Sequence, residues 1–295
     1  MEHHPGIAAK ITEDNRKIFA LLSSYLNHAP DLIYPAEIAE VMQIGVSAEY
    51  AFKLLLAAKF GFDIAGSAED KTLFIAYFDP MVHLLDAGEY ARNPYYRNIR
   101  IPAAKIGGSE LKYETCKPYE GFVCGDILQT AEGRQIPQIG FFETEFKYPA
   151  VLEQDRIWMT ITPNEIETMK EPIAEAFGRV LTFGLGLGYY AYMVSEKDNV
   201  DNVTIVEINE DVIRLFKQYV LPQFKHAPKI KIVQADAFDF ARTRLTGEAF
   251  DFVFTDLWHD VSDGIDLYLK IKQVERQHPD TVFSYWIEKS MLCYL

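Results

Sequence analysis

Between Arg179 and Ile287, short apolar runs alternate with segments whose apolar residues recur at helical spacing. Val180 to Phe183, Val203 to Val206, Lys229 to Val233, Phe250 to Thr255 and Thr281 to Ile287 are rich in β-branched and aromatic residues and too short for buried helices, so they read as strands. Tyr189 to Ser195, Asn209 to Val220, a stretch beginning at Phe238, and Asp263 to Gln277 read as the helices between them. Val212, Ile213, Phe216 and Val220 make one apolar stripe. Strict alternation predicts an α/β fold with a doubly wound, mostly parallel sheet. It is short at its C-terminal side, because only Glu288 to Leu295 comes after the fifth strand. An apolar open edge there is a liability, so cover by the N-terminal region or a homodimer is expected.

The earlier pattern differs. Ile11, Ile18, Leu22 and Tyr25 predict a helix from about Thr12 to Asn27. Pro30 and Pro35 punctuate the next stretch; Pro35 suits the first turn of a helix Ala36 to Met42, and Ser47 can cap another from Ala48 to Phe60. Lys71 to Phe78 reads as a strand. Helix, turn, helix, strand is a winged-helix-like order over residues 1–85. A β-rich connecting region is expected over 86–162 and the α/β domain over 163–295. Asp79 to Lys105, leading into the connecting region, is irregular. Tyr90, Tyr95, Tyr96, Arg92, Arg97 and Arg100 either line an anionic or aromatic site there or, the favoured reading, pack a domain seam. Phe122, Cys124, Asp126 and Leu128 share one face of a strand that turns at Ala131 to Gly133 and returns as Gln135 to Phe142. Arg156 to Ile161 adds a strand, and one helix runs from Pro163 to Gly178.

Composition narrows the function classes. A net charge of −14 opposes a main role in gripping nucleic acid, and acids outnumber bases over the first 80 residues. The third predicted helix offers only Lys53 and Lys59 against Glu49. Cys116, Cys124 and Cys293 form no C-x-x-C pair, which fits a reducing cytoplasm, and no metal is expected. His3 and His4 read as part of an unstructured terminus. No apolar run reaches the roughly 18 residues needed to span a bilayer.

Candidate chemistry sits at the ends of the strands. Gly184, Gly186 and Gly188 come after the first strand of the alternating region, where glycine permits positive φ and leaves room where a Cβ would stand. Glu207 closes the second strand, Asp236 and Ala237 come after the third, and Asp256 ends the fourth. Parallel strand ends lie side by side, so these residues would share the edge where open α/β sheets bind ligands. Trp258 and His259 lie just beyond; His259 is a candidate general base at neutral pH.

The G-x-G-x-G turn with these acids resembles class I S-adenosylmethionine (SAM) methyltransferases and the related polyamine (spermidine) synthases, over about Pro172 to Ile287. The resemblance implies SAM as cofactor, giving S-adenosylhomocysteine. Gly184, Gly186 and Gly188 would let the backbone approach the methionine part. Glu207 would take the ribose hydroxyls, and Asp236 with the Ala237 N–H the adenine edge. Asp256 would lie beside the transferable group as cofactor contact and candidate base. Trp258 would stack on the adenine or shield the sulfonium. Two departures stand out. Thr182 occupies a place where many methyltransferases have an acid, and Glu165, Glu167 and Thr168 stand where polyamine synthases carry an acidic Tyr-His pattern. The first expectation is therefore a SAM-dependent methyltransferase for a small molecule. The alternative is an aminopropyl- or aminocarboxypropyltransferase, and a further one is a non-catalytic SAM- or DNA-binding regulator.

Overall fold

The computed structural model describes residues 5–29, 32–245 and 247–295; His3, His4 and Pro30 lie outside them. The strands, in chain order, are β1 (Val82–Leu84), β2 (Ala104–Ile106), β3 (Ser109–Cys116), β4 (Phe122–Gln129), β5 (Gln135–Phe141), β6 (Phe146–Glu153), β7 (Arg156–Thr160), β8 (Gly178–Phe183), β9 (Val200–Glu207), β10 (Ile230–Gln234), β11 (Phe252–Thr255) and β12 (Val282–Tyr285). The chain divides into two compact units, one ending at Ala87 and resuming over Thr115–Phe146, the other formed by Gly88–Glu114 and Lys147–Leu295.

The second unit holds the expected parallel sheet, in the order β10-β9-β8-β11-β12. Its strands are the five predicted runs, each shifted by a few residues. Phe252, Val253 and Phe254 are fully buried, as a mainly apolar strand covered on both faces requires. The order reverses beside β8: β9 and β10 lie on one side, β11 and β12 on the other. Backbone bonds carry the pairing past the strand tips. Gly184 N donates to Val206 O at 3.0 Å, and Asp256 N to Phe183 O at 3.0 Å. The loops after β8, β9 and β11 are thereby held together. A further sheet, β2-β3-β6-β7, brings β7 into this unit.

The helix expected from Pro163 to Gly178 is two helices, Pro163–Thr168 and Lys170–Glu175. Pro172 explains the break at Met169: a proline inside a helix clashes with the carbonyl four residues back, here that of Thr168. The helix expected from Asn209 to Val220 runs from Glu210 to Leu215 and widens into a π turn at Phe216–Val220. The stretch expected to be irregular carries two short helices, Ala87–Ala91 and Pro94–Asn98.

In the first unit, helices Pro5–Leu26, Pro35–Met42 and Ala48–Lys59 match the pattern. Lys71 to Phe78 is not a strand: helix Ala68–Leu73 runs on through a π turn, Phe74–Phe78. Leu73, Phe74, Tyr77 and Phe78 are buried while Ile75 is exposed, the periodicity of one helix face. Aromatic residues favour strands only as far as packing allows, and here packing prevails. The strand of a winged-helix order is therefore missing at this place, and β1 begins only at Val82. The sheet here is β1-β5-β4, with β4 and β5 forming the expected hairpin. Register shifts along β4 swap its faces: Cys124 and Ile127 are buried and Leu128 is exposed, so Leu128 does not share the Cys124 face. Phe52 stacks on Phe141 at 4.2 Å in this unit's core. Lys53 and Lys59 are ion-paired with Glu49 and Glu37, both at 2.8 Å.

Candidate active site

The three glycines of the turn all take left-handed backbone, with φ of +97° at Gly184, +53° at Gly186 and +75° at Gly188, yet they do different work. A Cβ on Gly184 would lie 2.1 Å from the carbonyl oxygen of Asp256, and one on Gly188 would lie 2.3 Å from the Phe216 ring. These two glycines let the turn pack against β11 and the π turn. A Cβ on Gly186 would meet Met159 Sδ at 3.0 Å. Gly184 and Gly186 line a cavity of about 340 Å³; Gly188 sits behind the turn.

Three carboxylates reach this cavity: Glu165, Glu207 and Asp256. Glu207 is buried. Its Oε2 accepts from Leu185 N at 3.1 Å and its Oε1 from Asn209 N at 2.8 Å. Burial raises its pKa above the usual range, against the pull of those N–H groups. Glu165 comes from helix Pro163–Thr168, where it completes a capping box. It accepts from Thr162 N at 2.7 Å, Thr162 Oγ1 at 2.6 Å and Thr160 Oγ1 at 3.2 Å. Burial raises its pKa also. Asp256 is the most perturbed of the three. Burial, then the charges of Glu165 and Glu207, push it up to about 8. Three acids without a counter-charge cannot all ionise easily.

The rest of the wall is aromatic and apolar. The chain's three tryptophans, Trp158, Trp258 and Trp286, all line the cavity, with Tyr189, Tyr190 and Phe254. No lysine or arginine is among the described residues that line it. Trp286 Nε1 donates to Thr168 Oγ1 at 2.8 Å, while the buried Trp258 Nε1 and Tyr190 hydroxyl have no hydrogen-bond partner among the described residues. His259 lies at the exposed end, with its ring centroid 4.1 Å from that of Trp158.

Asp236 and Ala237 line a neighbouring cavity of about 180 Å³ that shares Gly184, Glu207, Ile208 and Leu257 with the larger one. Asp236 Oδ1 caps helix Ala237–Thr243 by accepting from Phe238 N and Asp239 N, both at 2.9 Å. The expected site residues thus fall in two adjoining chambers around Glu207, with Gly188 as support.

Tyr90, Tyr95 and Tyr96 line neither cavity; Tyr95 and Tyr96 brace the walls of the larger one, and Tyr90 bonds outside them. Tyr95 OH donates to Leu187 O in the glycine turn at 2.6 Å, Tyr96 OH to Ile161 O at 2.5 Å, and Tyr90 OH to Glu167 at 3.1 Å. Sequence reasoning missed Glu165 as a cavity acid and Trp158, Met159 and Trp286 as wall residues. The displaced Tyr-His position was the only signal for Glu165.

Residues 169–273 match the family model described as Spermine/spermidine synthase domain. No curated protein matches the chain. Among solved structures, it is similar to precorrin 8W decarboxylase of Methanobacterium thermoautotrophicum, with TM-score 0.33 and 13% identity over 42% of this chain and 63% of that one. It is also similar to a conserved hypothetical protein of Streptococcus pyogenes, with TM-score 0.30 and 17% identity over 37% and 62%. A candidate O-methyltransferase from Klebsiella pneumoniae gives TM-score 0.25 and 15% identity over 31% and 40%. The chain spans less than two thirds of each of these proteins. The matched residues carry the glycine turn, Glu207, Asp236 and Asp256, and with the doubly wound parallel sheet they give this part of the chain the features of a spermidine synthase domain.

Proposed function

We propose that this chain is a transferase that moves an aminopropyl group from decarboxylated SAM to an amine. One observation carries the reading: three carboxylates and three tryptophans wall a cavity lined by no lysine or arginine among the described residues. SAM brings a sulfonium, an ammonium and a carboxylate; the decarboxylated compound brings the two cations alone. A carboxylate tail would enter a field of like charge, whereas an ammonium would offset it. Tryptophan faces favour the sulfonium. The residues fit such a donor: Glu207 would hold the ribose, Asp236 and Ala237 the adenine, and Asp256 with Glu165 the cationic tail. The orphaned Trp258 Nε1 and Tyr190 hydroxyl are polar atoms that a bound molecule can satisfy. The donor supplies an electrophilic carbon beside sulfur; the protein aligns the acceptor with it and excludes water.

Thermal shift and product mass test this. Decarboxylated SAM should stabilise the chain by about 2.7 kcal/mol at a hundredfold excess over Kd, more than SAM at equal concentration. An amine should then gain an aminopropyl group. Equal or greater stabilisation by SAM, with a methylated product, would overturn the assignment. Methyl transfer is the second reading, favoured by the absence of a Tyr-His pair from helix Pro163–Thr168, and the same product mass decides between the two.

A further inference from the structure

We propose that Asp263 holds His259 in the tautomer that leaves Nε2 free to accept a proton, making His259 the base that frees the attacking amine. The proposal rests on the group-transfer reading, and it holds whether the transferred carbon is aminopropyl or methyl. His259 stands four residues beyond the end of β11 and lines the mouth of the cavity. Its Nδ1 lies 3.0 Å from Asp263 Oδ2, and its backbone N–H also donates to Asp263 Oδ1 at 3.1 Å. Asp260 N donates to the same Oδ1 at 3.1 Å. A capping box at the start of helix Val261–Glu275 needs only the Asp260 bond. The ring bond is additional, and it fixes which nitrogen carries hydrogen, because a carboxylate only accepts. Trp158 packs on the same ring at 81° between planes, so two contacts from different elements set the imidazole's orientation.

Position distinguishes this group from Asp256. Asp256 lies among Glu165 and Glu207, where a cationic donor would engage it. His259 is partly exposed, so it can release a proton to water after each turnover. The step balances. The acceptor ammonium gives its proton to Nε2, and the freed nitrogen lone pair forms the bond to carbon. The carbon–sulfur pair leaves with sulfur as a neutral thioether, and the imidazolium returns the proton to solvent.

Asp263→Asn tests the pair. The amide oxygen keeps the two backbone bonds, while its NH₂ faces Nδ1 and imposes the opposite tautomer. Nitrogen-15 NMR of the histidine-labelled full chain at mildly alkaline pH, with the His259 signals assigned from His259→Gln, should show the Nδ1–H form. The variant should show the Nε2–H form. The same tautomer in both proteins would sink the proposal without any turnover measurement. With the amine acceptor, the variant should lose about 10²–10⁴-fold in kcat at unchanged donor Kd. An unchanged kcat beside a swapped tautomer would remove the base role. If wild-type chain made no product from either adenosyl donor, the transfer reading would fail while the tautomer result still judged Asp263.

Discussion

Gly184 and Gly186 stand two residues apart, and the structure assigns them opposite failures on mutation to alanine. At Gly184 the added Cβ lands 2.1 Å from a backbone oxygen, that of Asp256, which can move only if β11 moves. Left-handed backbone costs a non-glycine residue about 1–2 kcal/mol, and overpacking of this kind about 1–3 kcal/mol. Gly184→Ala should therefore lose about 2–5 kcal/mol of stability. At Gly186, φ is +53° and the Cβ meets only the Met159 sulfur at 3.0 Å. A methionine side chain swings aside at little cost, so Gly186→Ala should lose only about 1–2 kcal/mol. Its methyl, however, projects toward the cavity and should weaken adenosyl binding at least about tenfold, or 1.4 kcal/mol. Urea unfolding supplies the first number and titration calorimetry with the adenosyl donor the second. Equal destabilisation of the two variants, or undiminished binding by Gly186→Ala, would refute the division of labour within the turn.

The same geometry gives three other outcomes. Asp256 has a native pKa of about 8 against an ordinary 3.8, so its contribution to stability is greatest below 3.8 and is lost as pH rises through about 8. Asp256→Asn should gain on wild type across that window in urea midpoints and stay level above it; parallel curves would contradict the raised value. Binding of a cationic adenosyl compound should tighten as pH rises toward 8, by up to about tenfold per pH unit as Asp256 gives up its proton, then flatten; pH-independent affinity would count against Asp256 as the charge partner. Tyr95→Phe removes the 2.6 Å bond to Leu187 O and leaves that carbonyl without a partner among the described residues, at about 1–3 kcal/mol. An unchanged urea midpoint would show that the tyrosine does not brace the turn.

What the sequence made legible was whatever local pattern controls. The five strands of the parallel sheet are short runs rich in β-branched and aromatic residues, and the nearness of the acids that close three of them follows from parallel pairing. The break at Met169 is written in Pro172. Lys71 to Phe78 is ambiguous as a sequence because its buried residues, Leu73, Phe74, Tyr77 and Phe78, satisfy aromatic strand propensity and helical periodicity at once. Glu165 could not be placed, since it reaches the cavity from a helix that precedes the alternating region. Asp263 was within reach: it stands four residues after His259, a spacing that brings side chains together at a helix start.

The chain leaves its first unit after Ala87, returns at Thr115, and leaves again after Phe146. On the ribosome, the first unit therefore cannot close until Phe146 has emerged, and Gly88–Glu114 must wait, already synthesised, for a parallel sheet whose last strand ends at Tyr285. Neither unit can be expressed as one uninterrupted stretch of polypeptide. Dissecting this protein calls for circular permutation or grafted connectors rather than a simple truncation.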